Sequence, residues 1–298
     1  MLQLVRRLLT VALWVVGAVM AVQMVCLAQP PAPPEPRRHD RDALGYYQIS
    51  HRYPSLVRHG ITVVDLPEDE SFFAYWVPPT NSIQAVMVLL HGTGGTAYDE
   101  LADEIDMAQY YGYAIVGLQW LDQRSGRYAE PLAINKMLEK ALRHLTQRYG
   151  QTPKTVALCG FSRGSVTSFE VAYRDRISDR HLDMVIAHSG GIPIDHVTAP
   201  GERAGPDAFY SDLELGGLGH PFAGLRFFLY AGCQDEEWGT TMCEYMRNTK
   251  ELVEKNGGAI AACIIDPQGT HAGYRKNLAY HRQAILLWLG KPSSQSAL

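Results

Sequence analysis

Eight short apolar runs punctuate the chain from residue 61 onward: 61–66 (ITVVDL), 72–77 (FFAYWV), 85–92 (AVMVLLHG), 113–120 (YAIVGLQW), 155–160 (TVALCG), 183–190 (DMVIAHSG), 225–232 (LRFFLYAG) and 259–266 (AIAACIID). From the third onward they are mostly continuous rather than alternating, as expected of parallel strands covered on both faces. The first two follow each other without a helix between them, which predicts an antiparallel hairpin at one edge.

Between the later runs the apolar period lengthens to that of a helix. Residues 97–111 place Leu101, Ile105 and Ala108 on one face and stop before Gly112. Residues 131–149 start on a proline, repeat Ile134, Met137, Leu138, Ala141, Leu142 and Leu145, and stop at Gly150. Further helices are predicted over 163–176, 238–255 and 271–289. This alternation specifies an α/β layered sheet, mostly parallel, of about eight strands with helices on both faces. Residues 191–224, rich in glycine and proline, interrupt the rhythm and read as a short irregular insertion after the sixth strand.

The first 43 residues follow another pattern. Two arginines in MLQLVRR precede 21 residues (8–28) without a charge, and Cys26 and Ala28 provide small residues at −3 and −1 of a cleavage point. A basic start, an apolar centre and small residues describe an export signal. The alternative is an uncleaved anchor, since 21 residues also span a bilayer. The Pro-rich stretch 29–43 reads as a tether, which leaves 44–298 as one domain. Export places that domain in the periplasm or outside the cell, on a membrane only if 8–28 is retained.

Composition is ordinary for a globular chain, 46% hydrophobic and 19% charged, with a formal net charge of −4. Removing residues 1–28 deletes two arginines and no acid, leaving 25 basic against 31 acidic residues, or −6. No basic run follows residue 43, so nothing suggests a nucleic-acid partner. Cys159, Cys233, Cys243 and Cys263 show no metal-site spacing.

Against this frame the motif GFSRG (160–164) gains meaning. Ser162 follows a buried strand and precedes an amphipathic helix, the strand–turn–helix context of a nucleophilic serine elbow, although a plain helix N-cap is the simpler alternative. A nucleophilic serine needs a base and an acid that orients it. The loop after the seventh strand (CQDEEWG) offers Asp235, with Glu236 and Glu237 as near competitors and Asp195 as a distant one. The loop after the eighth (PQGTHAGYRKN) offers His271, while His91, His188, His196, His220 and His281 read as structural. The third strand ends in HGTGG, whose flexible backbone suits an oxyanion hole formed by the N–H groups of Thr93 and Arg163, with Gly94 as substitute. A phosphate-cradling loop would need a Lys-Ser/Thr pair that is missing here. Trp120, Tyr98 and Trp238 fall at predicted strand or loop ends, where they serve either substrate contact or core packing.

With HGTGG, GFSRGS, GCQDEEW and GTHAGY in this order, residues 60–290 resemble the α/β-hydrolase-fold serine esterases, and within them the esterase and polyhydroxybutyrate-depolymerase-like branch. Arg163 after the nucleophile is also similar to the glucuronoyl esterases, whose longer motif is absent. The resemblance implies hydrolysis of a small or polymeric carboxylic ester through an acyl-enzyme, with no metal or organic cofactor. An acyltransferase on the same triad, or a non-catalytic binding protein keeping the fold, are the alternatives. A bridge between Cys233 and Cys243, ten residues apart around Asp235, would pin the acid loop in an oxidising compartment. Cys159 and Cys263 are expected unbridged: with the last four strands in sequence order, three spacings of about 4.8 Å exceed a disulfide's reach.

Overall fold

The computed structural model describes residues 50–69, 71–123, 125–192 and 206–291. The export segment, the tether, His196 and Asp195 lie outside the described residues. Among the described residues, no helix is long and apolar enough to cross a membrane.

The chain enters through α1 (Tyr53–His59) and the antiparallel pair β1 (Thr62–Leu66) and β2 (Ser71–Trp76), in which Thr62 faces Tyr75 and Leu66 faces Ser71. It continues through β3 (Ala85–Leu90), α2 (Ala97–Tyr111), β4 (Ala114–Gln119), α3 (Pro131–Tyr149), β5 (Thr155–Phe161), α4 (Arg163–Ile177), β6 (Met184–His188), α5 (Pro206–Leu215), β7 (Arg226–Gly232), α6 (Thr241–Lys255), β8 (Ala259–Asp266), α7 (Gly273–Lys276) and α8 (Leu278–Trp288). The eight strands form one sheet in the order β1-β2-β4-β3-β5-β6-β7-β8, parallel from β4 onward. Every residue of β4 and β6 is buried, as their unbroken apolar runs require, whereas β8 at the edge is only half covered.

Helix ends follow local chemistry. Thr96 caps α2 in a reciprocal box with Asp99: the Asp99 N–H donates to Thr96 Oγ1 at 3.2 Å and the Thr96 N–H to Asp99 Oδ2 at 3.0 Å. Gly112 and Gly150 close α2 and α3 in the left-handed conformation.

Three expectations are corrected. The helix predicted over 238–255 starts at Thr241, because the preceding residues turn back on Asp235: the Gly239 N–H donates to the Asp235 carbonyl at 2.8 Å. The helix predicted over 271–289 breaks into α7 and α8 at Asn277, whose side chain caps α8 by accepting from the Ala279 N–H at 3.0 Å. The insertion is not wholly irregular: it contains α5.

The topology places a crevice. After β3 the chain moves outward to β4, then returns across β3 to β5. The loops leaving the carboxyl ends of β3 and β5 therefore diverge, and a crevice opens where the winding reverses. HGTGG and GFSRG are those two loops.

Candidate active site

Ser162 follows β5 directly and heads α4 with φ 54° and ψ −119°, one of four non-glycine residues with positive φ among those described. Such a backbone costs on the order of 1–3 kcal/mol and is held only where its surroundings enforce it. Here the Ser162 N–H donates to the His188 carbonyl at 3.0 Å, and its own carbonyl accepts from Val166 at 3.1 Å. The flanking glycines permit the turn by absence of volume. A Cβ on Gly164 would lie 2.3 Å from the Leu90 carbonyl oxygen, and one on Gly160 2.4 Å from that of Gly164. Helix α4 thus seats against the end of β3 through a contact no side chain allows. Ser162 is no side-chain N-cap: its hydroxyl makes no capping bond.

Asp235 and His271 arrive in the loops that leave β7 and β8. His271 Nδ1 lies 2.6 Å from Asp235 Oδ2, and the other oxygen, Oδ1, accepts the backbone N–H groups of Glu237 and Trp238, both at 2.9 Å. The Asp235 carboxylate is fully shielded from solvent, so these bonds hold it in one orientation. The competing acids take other places. Glu236 accepts the His271 backbone N–H at 2.8 Å, a bond that lowers its own pKa, and Glu237 stands 4.0 Å from His271 Nε2, exposed. Ser189 donates its hydroxyl to the His271 carbonyl, tying the loop after β8 to the end of β6. Cys233 and Cys243 are joined by a disulfide with Cα atoms 5.4 Å apart, which closes the loop carrying Asp235. Cys159 and Cys263 are free, on strands separated by β6 and β7.

On the opposite side of Ser162 stands the loop after β3. As the first residue of α4, Arg163 has a backbone N–H with no helical carbonyl to bond, one of the orphan donors of a helix start. Thr93 is exposed beside it, and Arg163 Nε donates to Thr93 Oγ1 at 3.3 Å. Gly94 is committed elsewhere: its N–H donates to the Tyr128 hydroxyl at 2.7 Å. The Arg163 guanidinium lies 4.4 Å over the Tyr128 ring, so its side chain covers the aromatic wall of the site.

A cleft of about 490 Å³ opens on Ser162, with Thr93, Arg163, Trp120 and Trp238 in its lining. Tyr98 is absent from it. That residue is 1% exposed and packs between Tyr53, 4.9 Å away, and Phe72, 5.1 Å away, because α2 turns this face onto the sheet. Tyr128, Tyr210 and Tyr245 line the cleft and escaped the sequence reading. Tyr128 is brought back by the pairing of Leu121 with Tyr128, and Tyr210 by its hydroxyl bond to the Val166 carbonyl at 2.6 Å. Neither contact leaves a periodic trace.

The remaining histidines differ from His271 in their surroundings. His91 is sealed at the start of the loop after β3 with Nδ1 2.9 Å from the Gly92 carbonyl, and burial lowers its pKa to about 4. His188 stacks 4.3 Å from Tyr274, and burial again pushes its pKa well down. His281 is paired with Glu104 at 2.8 Å inside the core. His220 is exposed in the segment after α5.

No protein-family model matches the chain, and no curated protein matches it in sequence. Solved structures do match in shape. A 2,6-dihydroxy-pseudo-oxynicotine hydrolase superposes with a TM-score of 0.60 at 13% identity, over 83% of this chain and 73% of that one. A fungal esterase structure from Rhizomucor miehei gives 0.58 at 14%, over 91% and 94%. A carboxylesterase from Mesorhizobium loti gives 0.50 at 17%, over 77% and 99%. At such identities the likeness is one of fold, and the chain has the α/β-hydrolase fold.

Proposed function

We propose that this protein is an exported serine hydrolase that cleaves carboxylic esters through Ser162, His271 and Asp235. The observation that carries the reading is the pairing of a buried Asp235–His271 couple, 2.6 Å apart, with a serine held at positive φ on a strand-to-helix turn. Strain at a serine and complete burial of a carboxylate both cost stability, and a nucleophile with its orienting acid accounts for both.

In this mechanism the Ser162 hydroxyl attacks the ester carbonyl while His271 Nε2 takes its proton. Asp235 holds Nδ1–H and offsets the charge of the imidazolium. The backbone N–H groups of Thr93 and Arg163 receive the oxyanion; each such donor typically supplies about 2.7–4 kcal/mol of transition-state stabilisation. Collapse of the tetrahedral intermediate expels the alcohol with the proton from His271. Water, deprotonated by the same imidazole, then releases the acid and restores Ser162. No step calls on a metal or organic cofactor.

The disulfide between Cys233 and Cys243 supports an oxidising compartment, in keeping with residues 1–28 as an export signal and 29–43 as a tether. That several neighbours in shape are esterases, one of them a ferulic acid esterase, supports the choice of ester as substrate. The test is labelling with a fluorophosphonate probe beside hydrolysis of a panel of acetyl, feruloyl and longer acyl esters. Wild type should label and turn over, and Ser162→Ala should do neither. A folded wild type that does not label would rule the reading out.

A further inference from the structure

The cleft treats the two halves of an ester differently. When the tetrahedral intermediate collapses, the departing alkoxide takes its proton from His271 Nε2, so the alcohol half has to lie on the Nε2 side of the cleft. Glu237 stands there, and Trp238 follows it in the chain. The Glu237 carboxylate is 4.0 Å from Nε2, and its neighbour Trp238 lines the same cleft as Ser162.

Trp238 is 52% exposed, and among the described residues it alone of the exposed large hydrophobic side chains lines the cleft. An indole so open to water is not serving a core. The backbone that carries it is firmly held. The backbone N–H groups of Glu237 and Trp238 both bond Asp235 Oδ1, Gly239 returns a bond to the Asp235 carbonyl, and the Cys233–Cys243 disulfide closes the loop. An exposed aromatic side chain on a fixed backbone segment is partly pre-organised for binding, because little backbone entropy remains to be lost.

The pairing of that face with Glu237 narrows what binds. Glu237 is 61% exposed, so its oxygens retain lone pairs for incoming donors. An alkyl alcohol would cover the indole but strip water from the carboxylate and return no hydrogen bond. An anionic alcohol would be repelled. A sugar ring satisfies both groups: its C–H face, slightly positive, lies on the negative π-face, and its hydroxyls donate to the carboxylate. The opposite side of Ser162, toward Trp120 and Tyr128 at the end of β4, is left for the acyl group.

We infer that Trp238 and Glu237 form the leaving-alcohol subsite and that its occupant is a neutral sugar ring, which makes the substrate an O-acylated carbohydrate. The inference rests on the serine-hydrolase reading above. Its test holds the acyl group constant as acetyl and varies only the alcohol, comparing kcat/KM for an acetylated methyl xyloside with that for ethyl acetate. Wild type should favour the sugar ester by about tenfold or more. Trp238→Ala should lower that ratio roughly tenfold, Glu237→Gln about threefold, and Trp238→Phe should retain most of it, as loss of an aromatic contact or of a charged hydrogen-bond acceptor predicts. Using the ratio removes any general loss of active protein. A wild type with no preference for the sugar ester, or a Trp238→Ala variant with the wild-type ratio, overturns the subsite. Fluorophosphonate labelling of Ser162 separates the two failures. Labelled enzyme without sugar preference refutes the subsite alone, whereas folded enzyme that neither labels nor turns over refutes the hydrolase reading and the subsite with it.

Discussion

At the residue scale, Ser162 and Asp235 each carry a cost that a mutation can expose. Ser162 sits at φ 54°, where any Cβ is strained, and alanine inherits the strain while glycine does not. Ser162→Gly should therefore melt at or above Ser162→Ala, by about 1 kcal/mol at the midpoint. A glycine variant that melts clearly below the alanine variant would remove strain from the account. Asp235→Asn preserves shape but replaces the acceptor that fixes the His271 tautomer, with Oδ1 still bound by two backbone N–H groups. Steady-state assays should show kcat reduced by roughly 10³–10⁴-fold with the fold intact. A loss below tenfold would move the orienting role to another acid, Glu236 or Glu237 being nearest.

At the scale of elements, the site depends on how three loops are tied together. The disulfide spans ten residues, and a loop of that length is worth about 2–3 kcal/mol in the chain-entropy account. Reduction, or the Cys233→Ser/Cys243→Ser pair, should lower the unfolding free energy by about that amount and cut kcat several-fold, since the freed loop carries Asp235. Urea denaturation with and without reductant, alongside the ester assay, reads both effects; unchanged kcat in the reduced enzyme would show that hydrogen bonds alone hold the acid. A second tie is ionic. Arg275, four residues past His271, bonds Glu100 and, at 2.8 Å, Asp103 of α2, and its guanidinium lies 4.3 Å over Phe161, the neighbour of Ser162. Burial pulls the Arg275 pKa down, and the adjoining Glu100 more than reverses it, so the cation is retained. One side chain thereby joins the segment after His271, helix α2 and the turn that carries Ser162.

At the scale of the whole molecule, buried neutral histidines link stability to pH. His91 has its pKa lowered from 6.5 to about 4, chiefly by burial, with the Gly92 carbonyl and Asp99 opposing. Between those values the unfolded chain binds a proton that the native state refuses, so stability falls as pH drops from about 6.5 to about 4. By pH 4.5 the cost from His91 alone is on the order of 2–3 kcal/mol; His188 acts in the same direction. Burial raises the pKa of Glu100, Glu170 and Asp175, which favours the native state on acidification and works against this trend. A His91→Asn variant isolates the effect. It lacks the titrating ring, so wild type should lose its stability advantage over the variant by about that amount between pH 7.5 and pH 4.5 in urea denaturation. A gap that does not change with pH would contradict the assignment.

Much of this architecture was legible along the chain for a simple reason. Strands covered on both faces must be apolar throughout, and helices laid on them must repeat every three to four residues, so all eight strands and the bounds of α2 and α3 can be read locally. The places of Ser162, Asp235 and His271 just past the carboxyl ends of three strands could be read in the same way, since each follows an apolar run. Other features have no local signature. Tyr98 and Trp120 both follow apolar runs or loops, yet one is sealed between Tyr53 and Phe72 and the other lines the cleft. Tyr128 is recruited by a loop that folds back, the pairing of the His271 ring with Asp235 and not Glu236 is made where β7 and β8 bring their loops together, and Trp238 is left half exposed. Periodicity records which face of an element meets the core. Which residues from distant loops meet one another depends on strand order, and strand order is a property of the assembled sheet.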